Sequence, residues 1–384
     1  MIRFGSMSIT LLIGAMYGLL FAVLLWFSRT NRLANRFLAL LLVTIALRML
    51  PYIIGYAGYY DAYPWLSFLP YNLSLAIGPL IYFYVSSLSR PNLPAGWWRH
   101  FLPVSAQFAY YCIVFSFPIA AKNQWDDFPH AVIVYPLELA ATFVSMGIYL
   151  RASLRRYHGY QDWLAANMSQ LEEHRITWVR NFLLTLAVTL AFWIALVLFD
   201  RLIAKLDYFQ QFPFYVWLGV LVYYLGTEGY RNATHRYPSW EFGESAFVEK
   251  LAPVAAGGAV EVQIPTQSRD IDWSARGEQW RARLSKQEWW RDPELSLDAL
   301  ARKLGTNTSD LSRAINEGLG MNFNEMINRL RVEAVKSALS EITAPTNLLE
   351  VAFAAGFSSK ASFNRSFKLY VGATPSEFRQ RRKA

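Results

Sequence analysis

The chain has 384 residues, of which 54% are hydrophobic and only 17% are charged, and its formal net charge at pH 7 is +9. Soluble globular domains carry about 25% charged residues, so these values exclude an ordinary soluble protein along the whole length. The apolar excess lies before about residue 230. The single cysteine, Cys112, and five scattered histidines exclude a disulfide framework and a metal site of recognisable spacing.

Seven apolar runs in the first 230 residues are long enough to cross a membrane, since about 20 apolar residues span its hydrocarbon core. They are Ile9–Phe27, Phe37–Tyr56, Leu66–Val85, Phe101–Phe117, Ala131–Leu150, Phe182–Phe199 and Phe209–Thr227. A cleaved signal peptide is disfavoured for the first run, which is too long and is followed by six more. The sequence therefore predicts a seven-span transmembrane domain over residues 1–230, which makes the lipid bilayer a partner.

The basic residues of the short loops predict the orientation of these spans. The loops after the first, third and fifth spans contain ten lysines and arginines, whereas the loops on the opposite side contain four. Because basic residues favour the cytoplasmic side, the N-terminus is expected outside and the C-terminal half in the cytoplasm.

Two charged residues fall inside predicted spans. Arg48 lies about eleven residues into the second span, and Glu138 lies about seven residues into the fifth, which runs in the opposite direction. At about 1.5 Å per residue, the two lie within one helical turn of the same depth. A charge in lipid costs about 2.5 kcal/mol or more, so an intramembrane pair is expected. These charges are interpreted as a ligand or switch site, as a structural ion pair, or as a side chain that snorkels to the membrane surface.

The loop after the fifth span, residues 151–180, is long for a helical bundle. Its stretch from Tyr157 to Trp178 places apolar residues at helical spacing with acidic residues between them. This pattern predicts an amphipathic extension that lies at the membrane surface or against the C-terminal part of the chain. A simple connector is an equally good interpretation.

Residues 231–290 are predicted to form a cytoplasmic linker. The stretch Ala255–Ala259 (AAGGA) is typical of a flexible segment, and three prolines interrupt the region. A helix is predicted near residues 273–290, and a separate domain over residues 291–384.

The last domain contains a degenerate repeat. Leu300–Gly305 (LARKLG) recurs as Val351–Gly356 (VAFAAG), and each copy precedes a polar turn and an apolar helix stripe that carries an arginine. An apolar helix with a small residue, a glycine turn and a second helix is the pattern of a helix-turn-helix. Two copies joined by one long helix, from Phe323 to about Leu339, favour DNA binding. The predicted fold class is all-α: a seven-helix transmembrane bundle, a flexible linker and a double helix-turn-helix domain.

The final ninety or so residues resemble the DNA-binding domain of the AraC/XylS family of bacterial transcription regulators. The resemblance rests on the segments Leu297–Ala301, Leu311–Arg313, Phe323–Asn324, Asn328–Arg331, Val351–Ala352, Gly356–Phe357, Phe363–Lys368 and Gly372–Arg379. Phe353 departs from the pattern, because a polar residue is more usual there. The membrane half is not the usual sensor of that family and is similar to a less common group in which several spans precede this domain.

This resemblance implies that two recognition helices of one protomer enter successive major grooves of double-stranded DNA. Carried over by position, the base-reading side chains are Ser309, Ser312, Arg313, Lys360, Asn364 and Arg365. Arginine and lysine suit guanine, and asparagine suits adenine. The expected phosphate contacts are Thr308, Ser359, Lys368 and Arg379.

The charge of the domain is unequal between the two copies. From Ala355 onward there are seven basic residues and one acidic residue, whereas the first copy has no such excess. We therefore expect the second motif and the tail to supply more of the salt-dependent phosphate affinity.

The sequence predicts a membrane-integral transcription regulator in the bacterial inner membrane, a one-component sensor that couples an unknown small-molecule or membrane signal to promoter binding. One domain reads only a short, asymmetric DNA site, and this favours a homodimer. No catalytic constellation, cofactor motif or metal-ligand spacing is recognisable, so an enzyme is not expected. The alternatives are a polytopic transporter or membrane enzyme with an accessory DNA-binding domain, and a bundle that only anchors.

Overall fold

The computed structural model describes residues 2–90, 92–168, 177–235, 237–238, 240, 272–341 and 347–383. Over these residues the fold is all-α, and the only extended pairing is an isolated antiparallel bridge between Met168 and Ser296. The chain divides into two compact units. The first unit comprises Met1–Gly159 and Ile176–Glu241, and the second comprises Tyr160–Arg175 and Phe242–Ala384.

The first unit is built from nine α-helices within the described residues. They are α1 (Ser6–Trp26), α2 (Arg32–Tyr56), α3 (Tyr59–Ala62), α4 (Ile77–Ser89), α5 (Leu102–Phe115), α6 (Ile119–Trp125), α7 (Tyr135–Asn167), α8 (Thr177–Leu202) and α9 (Phe212–Arg231). Short 3₁₀ segments occur at Pro64–Leu66, Ser74–Ala76 and Trp97–Phe101, and a π-helical segment at Asp126–Val134 joins α6 to α7.

Four helical segments are long and apolar enough to cross a membrane. They are Ser6–Trp26, Arg32–Tyr56, Ile119–Asn167 and Thr177–Leu202, and Ser74–Ser89 is a shorter apolar helix. Many of their large apolar side chains are exposed, for example Ile13, Leu20 and Leu184. Apolar surface of this kind is compatible with lipid contact. Seven spans and their orientation remain predictions.

The third predicted span is shorter in the structure than in the sequence pattern. Helix begins at Ser74 and not at Leu66, because the chain turns through Pro70 and because Phe68 has a left-handed φ of 63°. Proline has no N–H for a helical bond, and a left-handed residue interrupts a helix. The preceding residues instead form a loop that carries Asn72.

The second unit includes seven further α-helices. They are α10 (Trp273–Lys286), α11 (Leu297–Leu304), α12 (Thr308–Arg313), α13 (Phe323–Glu341), α14 (Leu348–Ala354), α15 (Lys360–Val371) and α16 (Pro375–Lys383). A 3₁₀ turn at Trp289–Arg291 follows α10, and a π-helical turn at Ala314–Gly318 extends α12. The predicted flexible stretch Ala255–Ala259 lies outside the described residues.

One apolar core runs through the second unit and unites both halves of its repeat. It contains buried side chains from α10 to α15, including Leu284, Leu300, Leu311, Ile327, Ala352 and Phe367. Each helix buries one apolar face in this core, and burial contributes about 25 cal/mol per Å² of apolar surface. This burial is the reason that helices as short as α11 are stable.

Arg331 is the largest fully buried side chain of this core. It lies on the central helix α13, and its guanidinium donates hydrogen bonds to the carbonyl oxygens of Trp290 and Asp292, both at 2.8 Å. Burial lowers the pKa of Arg331 to about 10, although the charge of Asp292 opposes this shift. Arg331 is therefore still protonated at neutral pH, and it fixes the turn before α11 against α13.

Candidate functional sites

The first repeat copy forms a helix-turn-helix from α11 and α12. Ser296 caps the start of α11, and Gly305 ends it with a φ of 71°, a backbone conformation that favours glycine. The N–H of Thr306 then donates to the carbonyl of Ala301 at 3.0 Å. Asn307 caps α12 by accepting a hydrogen bond from the N–H of Asp310 at 2.7 Å.

The second copy reproduces this geometry in α14 and α15. Gly356 has a φ of 85°, and the N–H of Phe357 donates to the carbonyl of Ala352 at 3.1 Å. The turn is one residue longer than in the first copy, because Ser359 and not residue 358 caps α15. Counted from the two capping residues, Arg313 and Arg365 occupy equivalent positions.

The predicted base-reading side chains lie on the outer faces of α12 and α15. Ser309 and Arg313 are exposed on α12, where Ser312 is half-buried. Lys360, Asn364 and Arg365 are all exposed on α15. Each helix buries its opposite face in the core through Leu311 or Phe363. The surface is therefore accessible, although base reading by these residues remains a prediction.

Two partners of Arg313 escaped the sequence analysis. Its Nε donates to Glu317 Oε2 at 3.0 Å, and its guanidinium lies 5.4 Å from the centre of the Trp273 ring at the start of α10. The spacing of four residues to Glu317 is a helical ion-pair signal that sequence alone could have shown. The contact with Trp273 depends on tertiary packing and left no such signal. In the absence of DNA, the charge of Arg313 is therefore partly neutralised by Glu317, and its guanidinium lies over the Trp273 ring.

The predicted phosphate-binding residues differ in their local roles. The Ser359 hydroxyl accepts a hydrogen bond from the N–H of Ser362 at 3.2 Å, so it already caps α15. Thr308 is half-buried in the first turn of α12, whereas Lys368 is exposed near the end of α15. Arg379 is half-buried on α16.

A capping box fixes the start of α16. The carboxylate of Glu377 accepts from the N–H of Thr374 at 2.8 Å, and the N–H of Glu377 donates to the Thr374 hydroxyl at 3.3 Å. These hydrogen bonds from Thr374 lower the pKa of Glu377. Glu377 therefore stays charged at neutral pH and stabilises the helix that begins the basic tail.

Comparison with known proteins supports this geometry. Residues 300–381 match the family described as a helix-turn-helix domain. An uncharacterized HTH-type transcriptional regulator of Staphylococcus aureus (strain COL) is 36% identical over 91 residues, which are 24% of this chain and 12% of that protein. The HTH-type transcriptional regulator GlxA of Rhizobium meliloti (strain 1021) is 32% identical over 98 residues, 26% of this chain and 30% of that protein. No solved structure matches the chain.

The C-terminal part of the chain is a helix-turn-helix domain of the AraC type. The family match covers residues 300–381, and the chain spans only about an eighth of the staphylococcal protein.

A polar cluster lies inside the first unit and contains both charged residues that the sequence singled out. The carboxylate of Glu138 accepts three hydrogen bonds: Asn72 Nδ2 at 2.5 Å, Gln107 Nε2 at 2.8 Å and the Tyr111 hydroxyl at 2.8 Å. Arg48 reaches the same cluster by donating from Nη1 to Asn72 Oδ1 at 3.4 Å. Asn72 thus bridges the two charges, and sequence analysis missed it because it lies in the loop before α4.

The C-terminal extension of α7, from Tyr160 onward, belongs to the second unit. Tyr160 and Leu164 are buried, and Met168 pairs with Ser296 in the isolated bridge. The side-chain amide of Asn324 donates to the carbonyl of Met168 at 2.7 Å. Of the interpretations left open, the structure favours an extension that packs against the AraC-type domain. Residues 169–176 of the predicted extension lie outside the described residues.

The two turn glycines give a matched test of the helix-turn-helix geometry. A Cβ at residue 356 would lie 2.6 Å from the carbonyl oxygen of Arg291, whereas nothing lies within 4 Å of a Cβ at residue 305. We expect Gly305→Ala to destabilise the domain by about 1–2 kcal/mol for its left-handed backbone, and Gly356→Ala by at least about 1 kcal/mol more. Pulse proteolysis in urea measures both. Equal losses would contradict the close approach at Gly356.

The unequal charge of the two recognition helices predicts unequal salt dependence. α15 contains no acidic residue, whereas Arg313 on α12 is paired with Glu317. We expect Arg365→Ala to lower the slope of log affinity against log salt on non-specific DNA by about 1, and Arg313→Ala to lower it by less. Fluorescence anisotropy at several salt concentrations measures the slopes. Equal slopes for the two variants would show that our division of roles is wrong.

Proposed function

We propose that the protein is a membrane-integral, sequence-specific transcription regulator, in which the helical bundle senses a signal and the AraC-type domain binds promoter DNA without leaving the membrane. The observation that carries this proposal is the repeated helix-turn-helix with two exposed recognition faces, in one chain with four helices that are long and apolar enough to span a bilayer. The proposed location is the bacterial inner membrane, with the N-terminus outside.

Helix α7 supports a route from the bundle to the DNA-binding domain. It carries Glu138 of the polar cluster in its first turn, and it ends one residue before Met168, which contacts Ser296 and Asn324. Ser296 caps the first helix of the first helix-turn-helix, and Asn324 lies in the first turn of α13. We propose that a change at the polar cluster reaches the first recognition motif through this helix.

The decisive experiment is genome-wide DNA footprinting of the full-length protein and of a variant that lacks residues 1–227. We expect the full-length protein to protect a small set of promoters, since two recognition helices read one extended site. Occupancy should depend on growth conditions only when the bundle is present. A truncated protein that still responds to those conditions would contradict sensing by the bundle.

Charge reversal tests whether Arg48 and Glu138 act as a pair. Arg48→Glu or Glu138→Arg alone places like charges about the Asn72 bridge, so we expect loss of folded protein in the membrane. The double reversal should restore it, because the amide of Asn72 can rotate to exchange its donor and acceptor. Fluorescence-detected size exclusion of the solubilised protein measures recovery. Failure of the double variant to exceed both single variants would exclude the pair.

A further inference from the structure

We propose that Arg48 is the head-group site for an anionic amphiphile, an oxyanion such as a carboxylate or phosphate on an apolar chain. The proposal rests on the proposed sensing function and names the chemical class of its signal. The two charged groups of the polar cluster are unequally hydrogen-bonded.

Glu138 is nearly saturated with donors. A carboxylate has about four acceptor positions, and three are filled by the neutral side chains Asn72, Gln107 and Tyr111. Gln107 is itself fixed, because it also donates to Ser74 and accepts from the N–H of Leu75. The anionic half of the cluster therefore has little capacity left to bind a cation.

Arg48 has the opposite balance. A guanidinium has five N–H donors, and among the described residues its hydrogen bonding amounts to one long bond to Asn72 at 3.4 Å. The guanidinium also lies over the face of Trp193, whose ring centre is 4.5 Å away. No described carboxylate forms an ion pair with it, and the side chain is only partly buried. Its remaining donors are thus available to an oxyanion, which can accept two parallel hydrogen bonds from one guanidinium.

The surroundings of Arg48 favour a ligand with an apolar part. A cavity of about 30 Å³ adjoins the Arg48 side chain and is lined mainly by apolar residues, including Ile45, Met146, Leu186, Phe214 and Leu218. A water molecule needs about 10–15 Å³ and two or more polar partners, so an apolar cavity of this size suits a short piece of hydrocarbon better than water. In this proposal the guanidinium binds the charged head, and the cavity takes only the nearest part of the chain.

The test uses the full-length protein in nanodiscs of zwitterionic phosphatidylcholine, with sodium decanoate as the probe. We expect decanoate to raise the midpoint of thermal unfolding in a saturable manner, because a ligand that binds the folded state stabilises it. Decylamine has the same chain with a cationic head, and acetate has the head without the chain, so neither should shift the midpoint at equal concentration. Equal shifts with decanoate and decylamine would overturn the proposal.

Variants of the protein locate the site. Arg48→Met should raise the half-saturating decanoate concentration by about tenfold or more, since it removes the charged hydrogen bonds. Arg36→Met is the matched control, because Arg36 lies on the same helix and over a tryptophan ring, 5.3 Å from the centre of Trp26. Glu138→Gln should lower the half-saturating concentration by removing a nearby negative charge. Equal behaviour of the Arg48 and Arg36 variants would overturn the proposal without relying on any other variant.

Two further measurements are needed. The first distinguishes a bilayer lipid from a free amphiphile as the ligand, and the second distinguishes failure of this inference from failure of the proposed function. In nanodiscs that contain phosphatidylglycerol, loss of the decanoate effect identifies an anionic bilayer lipid as the occupant, and its persistence identifies a free amphiphile. DNA footprinting of the same preparations is read independently. Intact DNA binding with no response to decanoate or phosphatidylglycerol rejects this inference alone, whereas absent DNA binding rejects the proposed function.

Discussion

Both units are organised around buried or half-buried charged groups whose hydrogen bonds come largely from the protein itself. An unbonded polar group in an apolar interior costs several kcal/mol, and a charge costs more. In the second unit, Arg331 meets this constraint by donating to two main-chain carbonyls of the turn before α11. In the first unit, Glu138 meets it through three neutral side chains. Arg48 meets it only in part, and this difference gives the bundle a candidate function beyond anchoring.

Much of the second unit could be predicted from the sequence, because its signals are local. Apolar residues at helical spacing identified the core faces, and Gly305 and Gly356 identified the turns where the backbone takes a left-handed conformation. The capping residues Asn307 and Ser359 are of the types that favour helix N-termini, and their hydrogen bonds fix where α12 and α15 begin. The contact between Arg313 and Trp273 was beyond the sequence, since it joins helices that are far apart in the chain.

The apolar half was less predictable for a physical reason. A hydropathy pattern identifies long apolar helices, but it does not show which polar residues meet inside the bundle that these helices form. Arg48 and Glu138 were recognisable as charges in apolar runs, yet their connection depends on Asn72, which lies in a loop that the hydrophobic pattern assigned to a span. The loop forms because Pro70 and the left-handed Phe68 interrupt the helix.

The two partners in the contact between the α7 extension and the AraC-type domain differ in chemical type. On one side the acceptor is the main-chain carbonyl of Met168, which every amino acid provides, whereas on the other side the donor is the side chain of Asn324. The identity of residue 168 is therefore free to change while Asn324 is constrained by its amide. A different helix at this junction would keep the hydrogen bond to Asn324 wherever it presented a carbonyl at residue 168, whereas the buried side chains Tyr160 and Leu164 constrain the preceding turns.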